Sequence, residues 1–93
     1  MIVGVLVVQI HIPESQSLKD RRQVVRRLKD RIKNRHNVSL AETDGQNTWQ
    51  RCELAVAMVA GQQSAVEREL QTILQYIESD PSVALTEHWI DYY

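Results

Sequence analysis

The residues with the clearest chemical potential are basic side chains concentrated in one short segment. Residues 19–35 hold nine of the eleven Lys and Arg residues but only two of the twelve Asp and Glu residues. This segment therefore has a formal charge of +7 and the rest of the chain −8, although the whole chain is only −1. Such asymmetry predicts that the segment attracts an acidic partner, and RNA phosphate and an acidic protein surface are the two candidates.

The spacing of these cations places five of them on one flank of a predicted helix. A helix from about Ser17 to His36 would be about 28 Å long and would turn one apolar stripe towards the core. That stripe consists of Leu18, Val24, Val25, Leu28 and Ile32. Five cations fall within about 80° of arc beside it, and we call them the basic flank: Lys19, Arg22, Arg26, Lys29 and Lys33.

The basic flank supports two interpretations. Each RNA phosphate that it neutralises would make binding more dependent on salt. The alternative is a solvated helix face that only balances the acidic remainder of the domain. Near the stripe, Arg21 and Arg35 are expected to pack their stems while their guanidinium groups reach water, and Ser15 or Ser17 can cap the start of the helix.

The histidines give no sign of a metal site. His11, His36 and His88 are scattered, and no pair has metal-ligand spacing on one element;. A surface or capping role is favoured for each. We therefore expect neither a metal nor a cofactor.

Two acids and one thiol are the candidates for catalytic groups. Glu42 and Glu53 fall on neighbouring predicted strands, where an ion pair with Arg51 or with the basic helix is favoured over a catalytic carboxylate pair. Cys52 falls on the core face of its strand and is expected to be an inert packing residue. These interpretations predict a protein that is not an enzyme and has no small-molecule substrate. A deep pocket near His11, Glu42 or His88 that holds a bound ligand would favour the alternative of a small-molecule regulator or enzyme.

The elements that position these residues follow from hydrophobic periodicity. Strands are predicted at 2–12, 38–44, 49–61 and 83–92, and helices at 17–36 and 62–78;. The order β, α, β, β, α, β is that of the ferredoxin-like α+β sandwich, in which two helices cover one face of a four-stranded antiparallel sheet. We expect a single domain over residues 1–93. Gly4 leaves a gap in the first strand where a helix can approach closely.

The other face of this sheet is predicted to be uncovered and apolar. It takes its residues from the first and third strands: Val3, Val5, Val7, Ala55, Ala57 and Val59. Exposed apolar area of this kind marks a partner surface, so we expect a homodimer through the sheet face or an edge strand. Trp49 and Arg51 are further candidates for this interface because both residue types are enriched in binding hot spots. Base stacking on this face is not expected, because its central strands lack aromatic residues.

The chain also carries features that bear on its compartment. Its single cysteine precludes an intramolecular disulfide and fits a reducing environment;. The apolar residues 1–8 are too few to span a bilayer and lack the features of a signal peptide. We therefore expect a cytoplasmic protein without membrane contact.

Several short stretches are similar to those of a known family. They are Ser17-Leu18-Lys19-Asp20-Arg21-Arg22, Leu28-Lys29-Asp30-Arg31, Asn37-Val38-Ser39-Leu40-Ala41-Glu42 and Trp49-Gln50-Arg51-Cys52-Glu53-Leu54. Together they resemble the YlxP-like family of small uncharacterised bacterial proteins over nearly the whole chain. The resemblance implies a ferredoxin-like fold. Because genes of that family tend to lie near translation and ribosome-maturation genes, it also implies an accessory role at the ribosome. Taken with the charge of the basic flank, it leads us to expect that the flank contacts RNA there.

Overall fold

The structure, a computed structural model, describes residues 1–45, 48 and 50–93. Its elements are β1 (Ile2–His11), α1 (Leu18–Arg35), β2 (Ser39–Asp44), β3 (Arg51–Ala60), α2 (Gln63–Ser79) and β4 (Ala84–Tyr92). The strands form one antiparallel sheet with the order β2-β3-β1-β4. The predicted element order and fold class are confirmed, and every boundary lies within two residues of the predicted one. Neither helix in the described part has the length and apolar character needed to cross a membrane.

The central position of β1 explains why both of its faces are rich in Val and Ile. Its even-numbered residues Leu6, Val8 and Ile10 are at most 2% exposed and lie beneath the helices. Its odd-numbered residues Val3 and Val5 are half-buried on the opposite face. Branched side chains suit both positions because they pack well on a pleated surface.

The helix α1 begins at the second of the two predicted caps. Ser17 has extended backbone angles, and its hydroxyl accepts a hydrogen bond from the backbone N–H of Asp20 at 3.1 Å. The inner face of the helix buries Val25, Leu28 and Ile32. Leu18 was wrongly assigned to this stripe, since it is 41% exposed. It lies at the edge of the apolar arc, in the first turn of the helix.

The second helix packs closely on the covered face of the sheet. Its buried stripe consists of Val66, Leu70, Ile73, Leu74 and Ile77. A Cβ atom on Gly4 would overlap Cγ1 of Val66 and lie 3.1 Å from Cδ1 of Leu70. The close approach predicted at Gly4 is therefore present, and α2 is the helix that makes it.

Candidate functional site

The basic flank lies along the solvent side of α1. Four of its five cations are exposed and Lys29 is half-buried. Lys19 and Lys33 are separated by fourteen residues, a distance of about 21 Å along the helix axis. A groove of about 310 Å³ runs between this flank and β2, and its lining includes Arg22, Arg26, Lys29 and Lys33.

The basic flank is free of ion pairs within residues 1–45, 48 and 50–93. The ion pairs in this part of the chain join Arg21 to Glu42, Arg27 to Asp80 and His36 to Glu69. Among the described residues, the one hydrogen bond from a flank side chain is local, from Arg22 Nε to the carbonyl of Leu18 at 3.3 Å. Acids of the same domain thus compensate other cations of α1, and the charge of the flank stays available to a partner.

Arg21 does not reach water as expected. The residue is only 3% exposed; its Nε donates to the carbonyl of Arg51 at 2.9 Å, and its Nη2 donates to the Glu42 carboxylate. At 100° per residue, Arg21 falls between Val25 and Leu28, in the middle of the buried arc. The helix can bury a cation there because β2 supplies a carboxylate. Of the two predicted partners for Glu42, the basic helix is the one it bonds.

Cys52 lies beside this ion pair on the core face, as predicted, and is 3% exposed. Burial and the neighbouring Glu42 carboxylate raise the pKa of the Cys52 thiol from 9.0 to about 12. Thiolate is the reactive form of cysteine. The interpretation of Cys52 as an inert packing residue therefore agrees with its surroundings.

The middle of α1 is tied to the end of α2. Arg27 Nη2 donates to both carboxylate oxygens of Asp80, at 2.8 and 3.1 Å. Burial opposes ionisation of this carboxyl, but the backbone N–H of Ser82 and the Arg27 guanidinium outweigh it and hold the pKa of Asp80 below 3.8. This contact and the Arg21–Glu42 pair fix α1, and with it the direction in which the basic flank faces.

The histidines have separate surroundings. His36 is the C-cap residue of α1, and its Nδ1 contacts the Glu69 carboxylate. His88 is exposed on β4, and His11 stands opposite Arg51 at the end of β1. Within the described residues, no group of His, Cys, Asp and Glu is arranged to hold a metal ion.

The strand register brings the predicted apolar residues together on the open sheet face. Three cross-strand pairs form the patch: Val3 with Val59, Val5 with Ala57, and Val7 with Ala55. Arg51 lies at the far end of the same face and is exposed. Trp49, the remaining candidate for this interface, lies outside the described residues.

Comparison with known proteins places the chain in a family. Residues 3–90 match the family described as protein of unknown function (DUF503). The chain belongs to this family. Uncharacterized protein YlxP of Bacillus subtilis (strain 168) is 39% identical over 75 residues, which are 81% of this chain and 82% of that protein. The resemblance drawn from the sequence is thereby confirmed, and this DUF503 member has a bacterial relative.

Solved structures similar to this DUF503 member show its fold. The de novo designed protein LFR1 1 with ferredoxin fold has a TM-score of 0.61 and 17% identity, and the match covers 97% of this chain and 85% of that one. The de novo designed protein Foldit4 has a TM-score of 0.57 and 16% identity, with coverage of 100% and 97%. At such identities the likeness concerns the fold alone.

One residue of the open face in this DUF503 member was missed by the sequence analysis. Trp89 on β4 stands opposite Val7 and is 38% exposed, so it extends the apolar patch by one strand. Alternation along β4 places Trp89 and Asp91 on one side of the strand, but it does not say which sheet face that side joins. Its position depends on which face β4 turns outward, and that is set by the pairing with β1.

Proposed function

We propose that this protein is a non-enzymatic accessory factor of translation or the ribosome that contacts RNA through the basic flank. The observation that carries the proposal is a row of five cations along about 21 Å of α1, free of ion pairs in the described part of the chain. The genomic context implied by the family resemblance supports the ribosomal setting.

The expected mode of contact is electrostatic and independent of base sequence. Lys and Arg on a helix bind phosphates and release counterions, so affinity falls as salt rises. In a DNA duplex each strand offers a phosphate about every 3.4 Å of axis, so a row of 21 Å can face several phosphates of a comparable strand. The open face bears no aromatic side chain on β1 or on β3 as the structure describes them, so base stacking on the central strands is not part of the proposal;.

The test is RNA binding by fluorescence anisotropy, measured at a series of salt concentrations. The variant Arg22→Glu/Arg26→Glu should bind more weakly at every concentration. The slope of log affinity against log salt should become shallower by about 1.4, because each single-strand phosphate contact contributes about 0.7.

The matched control is Arg31→Glu/Arg68→Glu, which changes the net charge equally at two exposed sites outside the flank. It should retain most of the affinity and nearly all of the slope. An equal loss of affinity in both variants would show that binding depends on net charge alone and not on the flank. Unchanged binding by the flank variant would reject the proposal.

A second candidate function is homodimer formation through the open sheet face. The apolar pairs from Val3–Val59 to Val7–Ala55 form a patch of small side chains, which Trp89 extends on one side; the exposed Asp91 stands opposite Val5 at its border. The whole open face, four strands of up to about 34 Å at a spacing of about 4.8 Å, measures roughly 600 Å² per copy, and the apolar patch is part of it. Two copies that meet over the whole face would bury roughly 1,200 Å², the lower end of the range for stable interfaces.

The sheet edges are less suited to pairing than this face. The edge strand β2 has six residues and a bulge after Glu42. The edge strand β4 carries a register shift and the acids Glu87 and Asp91. Short, bulged and charged edge strands are features with which proteins prevent edge-to-edge association.

Light scattering on the purified protein tests the dimer. Val5→Glu and Ala57→Glu should each halve the measured mass, because each places an unpaired charge in the apolar patch. Gln75→Glu adds the same charge on the exposed side of α2 and should leave the dimer intact. A monomeric wild-type protein at all accessible concentrations, or dimeric Val5→Glu and Ala57→Glu variants, would reject this candidate.

A further inference from the structure

Two bulges lie at the same level of the sheet, one in each edge strand. In β2 the register shifts between Glu42 and Asp44, and the pairing of β4 with β1 shifts at Gln9 and Ile10. Simple alternation would place Asp44 on the covered face together with Glu42. The bulge instead sets Asp44 opposite Glu53, on the open face. Bulges that redirect side chains in this way are over-represented beside functional sites.

A row of hydrogen bonds crosses all four strands at this level. Thr43 of β2 donates to Oε2 of Glu53 at 2.7 Å, and Gln9 of β1 donates to Oε1 of the same carboxylate at 3.0 Å. Thr86 of β4 donates its hydroxyl to the carbonyl of Gln9 at 2.9 Å. The row separates the apolar patch from a polar end of the open face, and both oxygens of the Glu53 carboxylate are committed to it.

Beyond this row lies a cavity of about 370 Å³. Its polar lining comes from the ends of all four strands: Gln9, His11, Asp44, Arg51 and Thr86. Gly45 borders it with a φ of 86°, and a Cβ atom there would lie 2.9 Å from the carbonyl oxygen of Arg51. Glycine at this position lets the chain pass closely over the start of β3.

Two of the polar side chains of this cavity can donate hydrogen bonds and have no partner in the described part of the chain. His11 and Arg51 are a directly opposed cross-strand pair, so their Cβ atoms lie about 5 Å apart. Among residues 1–45, 48 and 50–93, neither the imidazole nor the guanidinium has a hydrogen bond or an ion pair. Asp44 differs, because its Oδ1 already accepts from the backbone N–H of Gly45 at 2.8 Å.

We propose that this cavity binds the oxyanion group, phosphate or carboxylate, of a small molecule. Arg51 presents a planar fork that matches such a group with two parallel hydrogen bonds, and His11 supplies a further donor beside it. The second oxygen of the Asp44 carboxylate is left to accept from a hydroxyl or amide group of the same ligand. This site lies on the open sheet face, apart from the basic flank on α1, and does not depend on RNA binding.

The test is a titration with inorganic phosphate, and separately with succinate, followed by backbone amide shifts in NMR spectra at constant ionic strength held with chloride. Saturable shifts should centre on His11, Gly45, Arg51 and Thr86. Phosphate and succinate arms distinguish the two sources of the oxyanion, and saturation by either supports the site. Shifts confined to α1, or shifts that do not saturate, would overturn the proposal.

Variants of Arg51 make the test specific. Arg51→Ala should weaken binding at least about tenfold, since a charge-assisted pair of hydrogen bonds is lost. Arg51→Lys should lose part of the affinity, because it keeps the charge but not the fork. Both keep the backbone carbonyl that accepts from Arg21, and Arg68→Ala is the exposed control that should bind as the wild type does. Unchanged binding by Arg51→Ala would overturn the assignment. The flank variant Arg22→Glu/Arg26→Glu should bind phosphate or succinate as the wild type does, even if it binds RNA more weakly.

Discussion

The guanidinium of Arg21 in α1 is bonded to the carboxylate of Glu42 in β2, with 3% and 16% of the two side chains exposed. The same guanidinium donates to the carbonyl of Arg51 in β3 at 2.9 Å. One cation therefore anchors the helix to two strands. Because a buried charge without its partner is strongly unfavourable, this contact fixes where α1 lies and which way the basic flank points.

We expect Arg21→Met to lower the free energy of unfolding by about 3 kcal/mol, because the Glu42 carboxylate stays largely buried without its cation. The double variant Arg21→Met/Glu42→Leu should recover most of that loss, since apolar residues can replace a buried ion pair. Urea unfolding followed by circular dichroism at neutral pH measures both.

Arg31→Met is the control for this pair, because it removes an exposed cation of the same helix. It should change stability by less than about 0.5 kcal/mol. A double variant no more stable than Arg21→Met alone would show that the ion pair is not the cause of the loss.

The fold was predictable because its signals are local. The apolar stripe of α2 and the Val- and Ile-rich β1 each repeat with the period of their own element, whatever lies elsewhere in the chain. The hairpin pairing of β2 with β3 and the two helix crossovers then leave few arrangements. The register that unites Val5 with Ala57 follows from the same alternation.

The site was less predictable because its contacts depend on distant residues. Arg21 lies at the centre of the buried arc, but a cation in that position is expected to reach water unless a partner is known. Its partner, Glu42, comes twenty-one residues later and meets it only in the folded sheet. Asp44 was reassigned by a bulge, which reverses alternation without any mark in the sequence that periodicity could detect.

Cys52 should react slowly with iodoacetamide in the native protein. A pKa raised from 9.0 to about 12 lowers the thiolate fraction at pH 8 by about three orders of magnitude;. Between pH 7 and 10 the native rate should keep rising about tenfold per pH unit, whereas the rate in denaturant should level off above about pH 9. Mass spectrometry of quenched samples measures both rates.

The raised pKa of Cys52 also predicts that the free energy of unfolding falls at high pH. The native thiol keeps its proton where the unfolded thiol loses it, so this contribution is complete below pH 9.0 and is lost as pH rises towards 12;. In the variant Cys52→Ala, the free energy of unfolding should fall less between pH 9.0 and about 12. A native alkylation rate that levels off near pH 9 would contradict the effect of burial and Glu42.

Protonation of Asp80 should lower the free energy of unfolding at acidic pH. Burial disfavours its charge, but the Ser82 N–H and the Arg27 guanidinium keep the pKa below 3.8, so the unfolded chain binds more protons than the native one near that pH;. Its contribution is therefore present above pH 3.8 and is lost as pH falls through the native pKa. Asp80→Asn should cost about 1–2 kcal/mol at pH 7, and the difference from wild type should shrink below pH 4.

Urea unfolding from pH 7 to pH 2.5 measures this dependence, with Asp30→Asn as the control. Asp30 is exposed on α1 and has no ion pair within the described residues. The free energy of unfolding of Asp30→Asn should differ from that of the wild type by a nearly constant amount at every pH. A constant difference for Asp80→Asn as well would mean that the charge of Asp80 does not contribute.

Two glycines test how closely α2 packs on the sheet. Gly4→Ala puts a methyl group into Cγ1 of Val66 and within 3.1 Å of Cδ1 of Leu70, and both of these residues are fully buried. We expect a loss of about 1–3 kcal/mol from overpacking. Gly61→Ala meets nothing within 4 Å and has no positive φ. It should be neutral or stabilise by up to about 1 kcal/mol, because alanine lowers the conformational entropy of the unfolded chain.

Adding Val66→Ala should restore stability to the Gly4→Ala variant although it destabilises the wild type, because the new methyl group fills the space that the valine leaves. If the losses of stability in the two single variants simply add in the double variant, the methyl group introduced by Gly4→Ala does not clash with Val66.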